Sequence, residues 1–149
     1  MTQEAFIKVL NREKYSYEIE GDRIIVTYKG SVWLNALTSL SPGVEFRNGG
    51  GVHLSALTSL SPGVVFKNGG GVYLDDLSSL PPGVEFNNGG DVDLKYLTSI
   101  PPGVEFKNGG DVDLSALIGG WFKHWKGNIE GIDSNRLLNV MIKQGVFER

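Results

Sequence analysis

The chain has 149 residues, 40% hydrophobic and 21% charged, with a formal net charge of -3; this is enough apolar content for one folded domain with a core. It contains no cysteine, which excludes disulfide scaffolds, thiolate-bound zinc and thiol catalysis. Glycine supplies 21 residues against 6 prolines, about twice average glycine usage, a bias that neither collagen nor a disordered chain explains at this apolar content.

The first ten residues contain Glu4 and lack the basic region and apolar run of a signal peptide, and no stretch approaches a membrane span. A cytoplasmic protein is the expectation. Residues 4–13 have helix-forming composition with Phe6, Ile7, Val9 and Leu10 clustered, and residues 15–19 alternate as a strand before the turn Glu20-Gly21-Asp22. From Asp22 a fixed period of 20 begins, with PGVEFRNGGGVHLSALTSLS from Pro42 as its clearest form. There are five copies without insertion or deletion, the first degenerate, and they align fifteen of the glycines and five Val-x-Leu triplets.

Within each copy the spacing of two in Val44-x-Phe46 and Val52-x-Leu54 is strand periodicity, whereas Leu54-x-x-Leu57 is too short for a helix and reads as a bend. Asn48-Gly49-Gly50 and its copies are expected to be corners in which asparagine and glycine accept positive φ, and Pro42-Gly43 and its copies break the chain again. Each copy is then a coil of two short strands and three corners. One coil buries too little to stand alone, so neighbours must stack at about 4.8 Å. The predicted fold is mainly β, a β-solenoid of five 20-residue coils over residues 22–120. An N-terminal helix and strand cap spans 1–21. A C-terminal aromatic and helical cap spans 121–149, with Trp121, Phe122 and Trp125 plugging the core and a helix from Asp133 or Ser134 through Gln144 stopped by Gly145.

Repeated positions are structural by necessity, so function is sought where the copies differ on the outside. In the first strand the outward columns Glu45, Val65, Glu85, Glu105 and Arg47, Lys67, Asn87, Lys107 predict a solvated mixed-charge ladder. The second strand is more individual: its outward column runs Trp33, His53, Tyr73, Asp93, Asp113. Stacked exposed aromatics favour a binding surface, against the alternative that a cap segment covers them. Asp91 and Asp111 precede Asp93 and Asp113 by two, and with Val92 and Val112 inward the four carboxylates are expected to form an outward patch with neighbours about 5–7 Å apart. Solvated or Lys95-relieved charge, a partner's basic surface, and a Ca²⁺ site are the three readings of that patch.

Residues 71–113 hold eight acids against two bases, which disfavours nucleic acid on that face because phosphate contacts need Lys and Arg. The two histidines, His53 and His124, have no nucleophile motif nearby, and no phosphate-loop or dinucleotide fingerprint occurs. The column Thr38, Thr58, Ser78, Thr98 lacks the paired threonines of an ice-binding array. No enzyme, no cofactor and no resident metal are therefore expected.

The string Leu-Ser-Ser-Leu-Pro-Pro-Gly-Val-Glu-Phe-Asn-Asn-Gly-Gly-Asp-Val-Asp-Leu at 77–94 resembles the leucine-rich, solenoid-like repeats SLPxGVxFxNGGxVxL of proteins from bacteriophages and other bacterial mobile elements, and residues 127–139 resemble the ending of such proteins. The resemblance covers about 22–145. It implies a phage-type context, in which small non-enzymatic proteins block host defence machinery by binding it, an anti-CRISPR-like role in the host cytoplasm. On that expectation Trp33, His53, Tyr73, Asp91, Asp93, Asp111 and Asp113 contact a bacterial defence or other host protein. The alternative is a structural module that self-associates, for instance as a homodimer, through its solenoid ends or cap helix.

Overall fold

The computed structural model describes residues 1–117; the expected aromatic plug at 121–125 and the expected helix from 133 or 134 through 144 lie outside the described residues. Helix α1 (Gln3–Arg12) begins where the Thr2 hydroxyl accepts the Ala5 N–H at 3.1 Å, with Glu4 in the first turn and Arg12 in the last, and it buries Phe6, Val9 and Leu10. Lys14, at φ 62, ends it. Strands β1 (Tyr17–Glu20) and β2 (Arg23–Val26) then pair antiparallel around Gly21, whose φ of 59 suits a two-residue turn.

From β2 onward the chain winds as a β-solenoid of about four turns. One face stacks β2, β4 (Val44–Phe46), β6 (Val65–Phe66), β8 (Glu85–Phe86) and β10 (Glu105–Phe106); the other stacks β3 (Val32–Trp33), β5 (Val52–His53), β7 (Val72–Tyr73), β9 (Val92–Asp93) and β11 (Val112–Asp113). Every such pairing is parallel, and each residue faces its counterpart one period along, as in Phe46 with Phe66 and Val52 with Val72. The register is thus the sequence period itself. Between the sheets, Phe46, Phe66, Phe86 and Phe106 stack with centroids 5.2–5.4 Å apart and planes within 7°, alongside buried Leu54, Leu57 and their copies. The Leu-x-x-Leu bends close as expected, with the Leu57 N–H donating to the Leu54 carbonyl at 3.1 Å.

The Asn-Gly-Gly corners differ from expectation. Positive φ belongs to the Pro-Gly glycines Gly43, Gly63, Gly83 and Gly103, and no corner asparagine adopts it. The doubled glycines are required by proximity: a Cβ on Gly70 would lie 2.8 Å from the Gly51 nitrogen and 2.9 Å from the Gly50 carbonyl carbon. Asparagine serves as a donor. The Asn68 Nδ2 reaches the carbonyls of Gly50, Gly70 and Gly71, each at 3.1 Å, and is buried at 1% exposure. Asn48, Asn88 and Asn108 repeat the pattern, each tying its own corner to the one before.

A second correction concerns the charge ladder. Glu45 is buried, not solvated, and pairs with Arg23 at 3.2 Å and with Arg47, whereas three coils further on Lys107 bridges the more exposed Glu105 at 2.9 Å and, in the coil before it, Glu85 at 3.4 Å. In the threonine column the Thr58 and Thr98 hydroxyls donate to the carbonyls of Thr38 and Ser78. Among the described residues no helix is long and apolar enough to cross a membrane.

Candidate binding face

Because β3, β5 and β7 stack in register, the outward residues Trp33, His53 and Tyr73 fall directly over one another at the strand spacing. Their rings form a continuous stack. Trp33 and His53 are 3.6 Å apart at 8°, and His53 and Tyr73 4.7 Å apart at 14°. Trp33 is 58% exposed, while His53 and Tyr73 are half-buried. The Trp33 N–H donates to the Tyr15 hydroxyl at 2.9 Å, which ties the start of the stack to the segment before β1. Planar rings at this separation gain contact area without occupying many rotamers, and aromatic side chains so displayed are the usual anchors of a protein interface.

The rings also explain the neighbouring column. A Cβ on Gly71 would meet the Tyr73 hydroxyl at 2.7 Å, and one on Gly51 would meet the His53 Nε2 at 3.2 Å. Both rings therefore lie back over a glycine. In the two coils where the outward residue is Asp93 or Asp113, the same column holds Asp91 and Asp111. Glycine thus stands beside the two rings that fold back, His53 and Tyr73, whereas Ser31 stands beside Trp33.

Three of the four aspartate carboxylates are engaged in hydrogen bonds or ion pairs. The Asp91 Oδ1 accepts the Asp111 N–H at 2.8 Å, the role that the Ser31 hydroxyl plays toward the Gly51 N–H at 2.9 Å. Asp93 accepts the Lys95 N–H at 3.2 Å, and Asp113 accepts the Ser115 N–H at 3.0 Å as well as its hydroxyl. Lys95 does relieve the charge, but through a residue that sequence reasoning missed: its Nζ lies 3.4 Å from Asp75 and 3.7 Å from Asp93. The signal for Asp75 was its place one rung below Lys95 in the column. Among the described residues no group of three or more His, Asp or Glu side chains is arranged to hold a metal ion.

Burial raises the Asp93 carboxyl above its ordinary 3.8, with the Lys95 N–H acting against it and the Asp75 and Asp113 charges reinforcing it. His53 moves down from 6.5, because burial between two rings outweighs the attraction of Asp75. A histidine lowered in the fold is held there in the neutral form, so it contributes stability that is present above 6.5 and lost as pH falls from 6.5 toward the lower folded value. Asp93 has the opposite sign: with its folded value raised, acidification from that value toward 3.8 favours the fold. Denaturant midpoints measured from pH 7.5 to 5 should fall for the wild type and fall less for His53→Phe, which keeps the stack and removes the titration. No protein-family model, curated protein or solved structure matches this chain.

Proposed function

We propose that the chain is a non-enzymatic binding protein that engages a protein partner through the second-strand face, with Trp33, His53 and Tyr73 at the centre and Asp91, Asp93, Asp111 and Asp113 as an acidic flank. The observation that carries this reading is the in-register ring stack with Trp33 58% exposed at its head. The chemistry it fits is a partner surface bearing arginine or aromatic groups, which stack on rings and pair with carboxylates. His53 is held between two rings, an arrangement that suits a contact residue of a binding face. The acid excess argues against nucleic acid. In the phage-type context that the repeats resemble, the partner is a bacterial defence complex in the host cytoplasm. The architecture that presents this face is read as five 20-residue coils closed by caps at both ends; the burial of Phe6, Val9 and Leu10 in the same core as the coils supports the first cap.

The test is defence inhibition in a bacterial host, followed by binding to the purified defence complex. Plaque formation by a restricted phage should be restored by the wild-type chain. Trp33→Ala combined with Tyr73→Ala should weaken binding at least about tenfold, as loss of aromatic anchors does, with the melting temperature near that of the wild type. Undiminished binding by that double variant, or no effect on any defence system tried, would sink the reading.

Self-association has one observation in its favour. Strand β1 ends its sheet among the described residues and exposes Ile19 at 57%, and an edge strand offers unpaired backbone groups to another chain. Light scattering separates the two: a concentration-dependent oligomer abolished by Ile19→Lys supports assembly, and a monomer supports the heteromeric reading.

A further inference from the structure

Four corners carry asparagine immediately before glycine: Asn48-Gly49, Asn68-Gly69, Asn88-Gly89 and Asn108-Gly109. In a flexible chain this dipeptide is chemically unstable, because the glycine nitrogen has no neighbouring side chain to obstruct it. That nitrogen attacks the asparagine Cγ, a new C–N bond forms, the Cγ–Nδ2 bond breaks, and ammonia leaves with the proton from the glycine nitrogen. Water then opens the resulting succinimide at either carbonyl, giving aspartate or isoaspartate. The balance is one water in and one ammonia out, with no oxidant or reductant.

The coil blocks both partners in this step. Each attacking nitrogen already donates its N–H to a carbonyl of the preceding coil: Gly49 to Tyr28 at 2.9 Å, Gly69 to Asn48 at 3.0 Å, Gly89 to Asn68 at 2.9 Å and Gly109 to Asn88 at 2.9 Å. Each leaving amide is buried and held by three carbonyls, as at Asn68. We propose that these four asparagines are latent modification sites, preserved by the folded coil and opened by unfolding, so that a chain that unfolds converts to a form unable to rebuild the solenoid. Aspartate has no N–H for the three carbonyls and brings a charge to a site 1–7% exposed. Isoaspartate in addition lengthens the backbone by one carbon within a period of 20 and breaks the register between coils. Unfolding thereby becomes irreversible by chemistry instead of by aggregation.

The experiment compares the full chain in buffer with the same chain in guanidinium at pH 8 and 37 °C, mapping amide loss by peptide mass and isoaspartate by enzymatic methylation. Asn11 and Asn35 are the internal control, since both are exposed and neither precedes glycine. The unfolded chain should lose the four Asn-Gly amides well before Asn11 and Asn35, and the folded chain should lose them more than about a hundredfold more slowly. After dilution, the fraction regaining the native circular dichroism spectrum should equal the fraction with all four amides intact. Equal loss in folded and unfolded chains, or refolding by deamidated chains, would overturn the proposal.

Discussion

Asn68→Asp is expected to destabilise the fold more than Asn68→Ala, although aspartate is the closer match in shape. The alanine variant leaves the carbonyls of Gly50, Gly70 and Gly71 without the donor they share. An amide has two hydrogens for three acceptors, so the loss amounts to about 2–3 kcal/mol. Aspartate removes the same donor and adds a carboxylate facing three carbonyl oxygens at 1% exposure, which costs further. The carboxyl of Asn68→Asp should consequently titrate upward in the fold, and protonation returns one donor. Urea denaturation at pH 7 and pH 4 checks both points: the aspartate variant ranks below alanine at pH 7, and the gap narrows at pH 4. Equal midpoints for wild type and Asn68→Ala would mean that the asparagine column contributes nothing.

The second large effect separates two kinds of glycine. Gly83 has φ +79 and open space around a built Cβ, so Gly83→Ala costs only the left-handed strain of about 1–2 kcal/mol. Gly70 has no such φ, yet its Cβ would press into the backbone of the coil below at 2.8 Å and 2.9 Å. That backbone is itself bonded in register, with the Gly70 N–H on the Gly50 carbonyl at 3.1 Å, and cannot retreat without opening the stack. Gly70→Ala should therefore cost about 3 kcal/mol or more, measured as a fall in the urea midpoint at unchanged slope. If Gly83→Ala proves the more damaging, conformational freedom and not close approach explains the glycine excess.

Much of this was legible before any coordinates. A strict period of 20 makes stacking in register the economical solution, because each Val44-type and Phe46-type residue then meets its own copy, and the observed pairings follow that rule. The helix and hairpin of the first 26 residues follow from the apolar spacing of Phe6, Val9 and Leu10 and from Gly21. The ring column was visible as well, since alternation about buried Val32, Val52 and Val72 places Trp33, His53 and Tyr73 on one outward line.

What escaped the sequence has a common cause. Asparagine and glycine in a corner read as turn formers whether their task is a local φ or contact with the next coil, and residues 18 or 20 positions apart in the chain decide between the two. Asn68 finds an acceptor at Gly50, and Gly70 lies against Gly51. In the same way Glu45 looked solvated by alternation but is enclosed between Arg23 and Arg47. The chain by itself determined the period, the register and the inward columns, because those follow from spacing along one strand. Only the tertiary structure decided which corner glycines are obligatory, where the asparagine donors go, and which carboxylates Lys95 meets, because each depends on the few ångströms between one coil and the next.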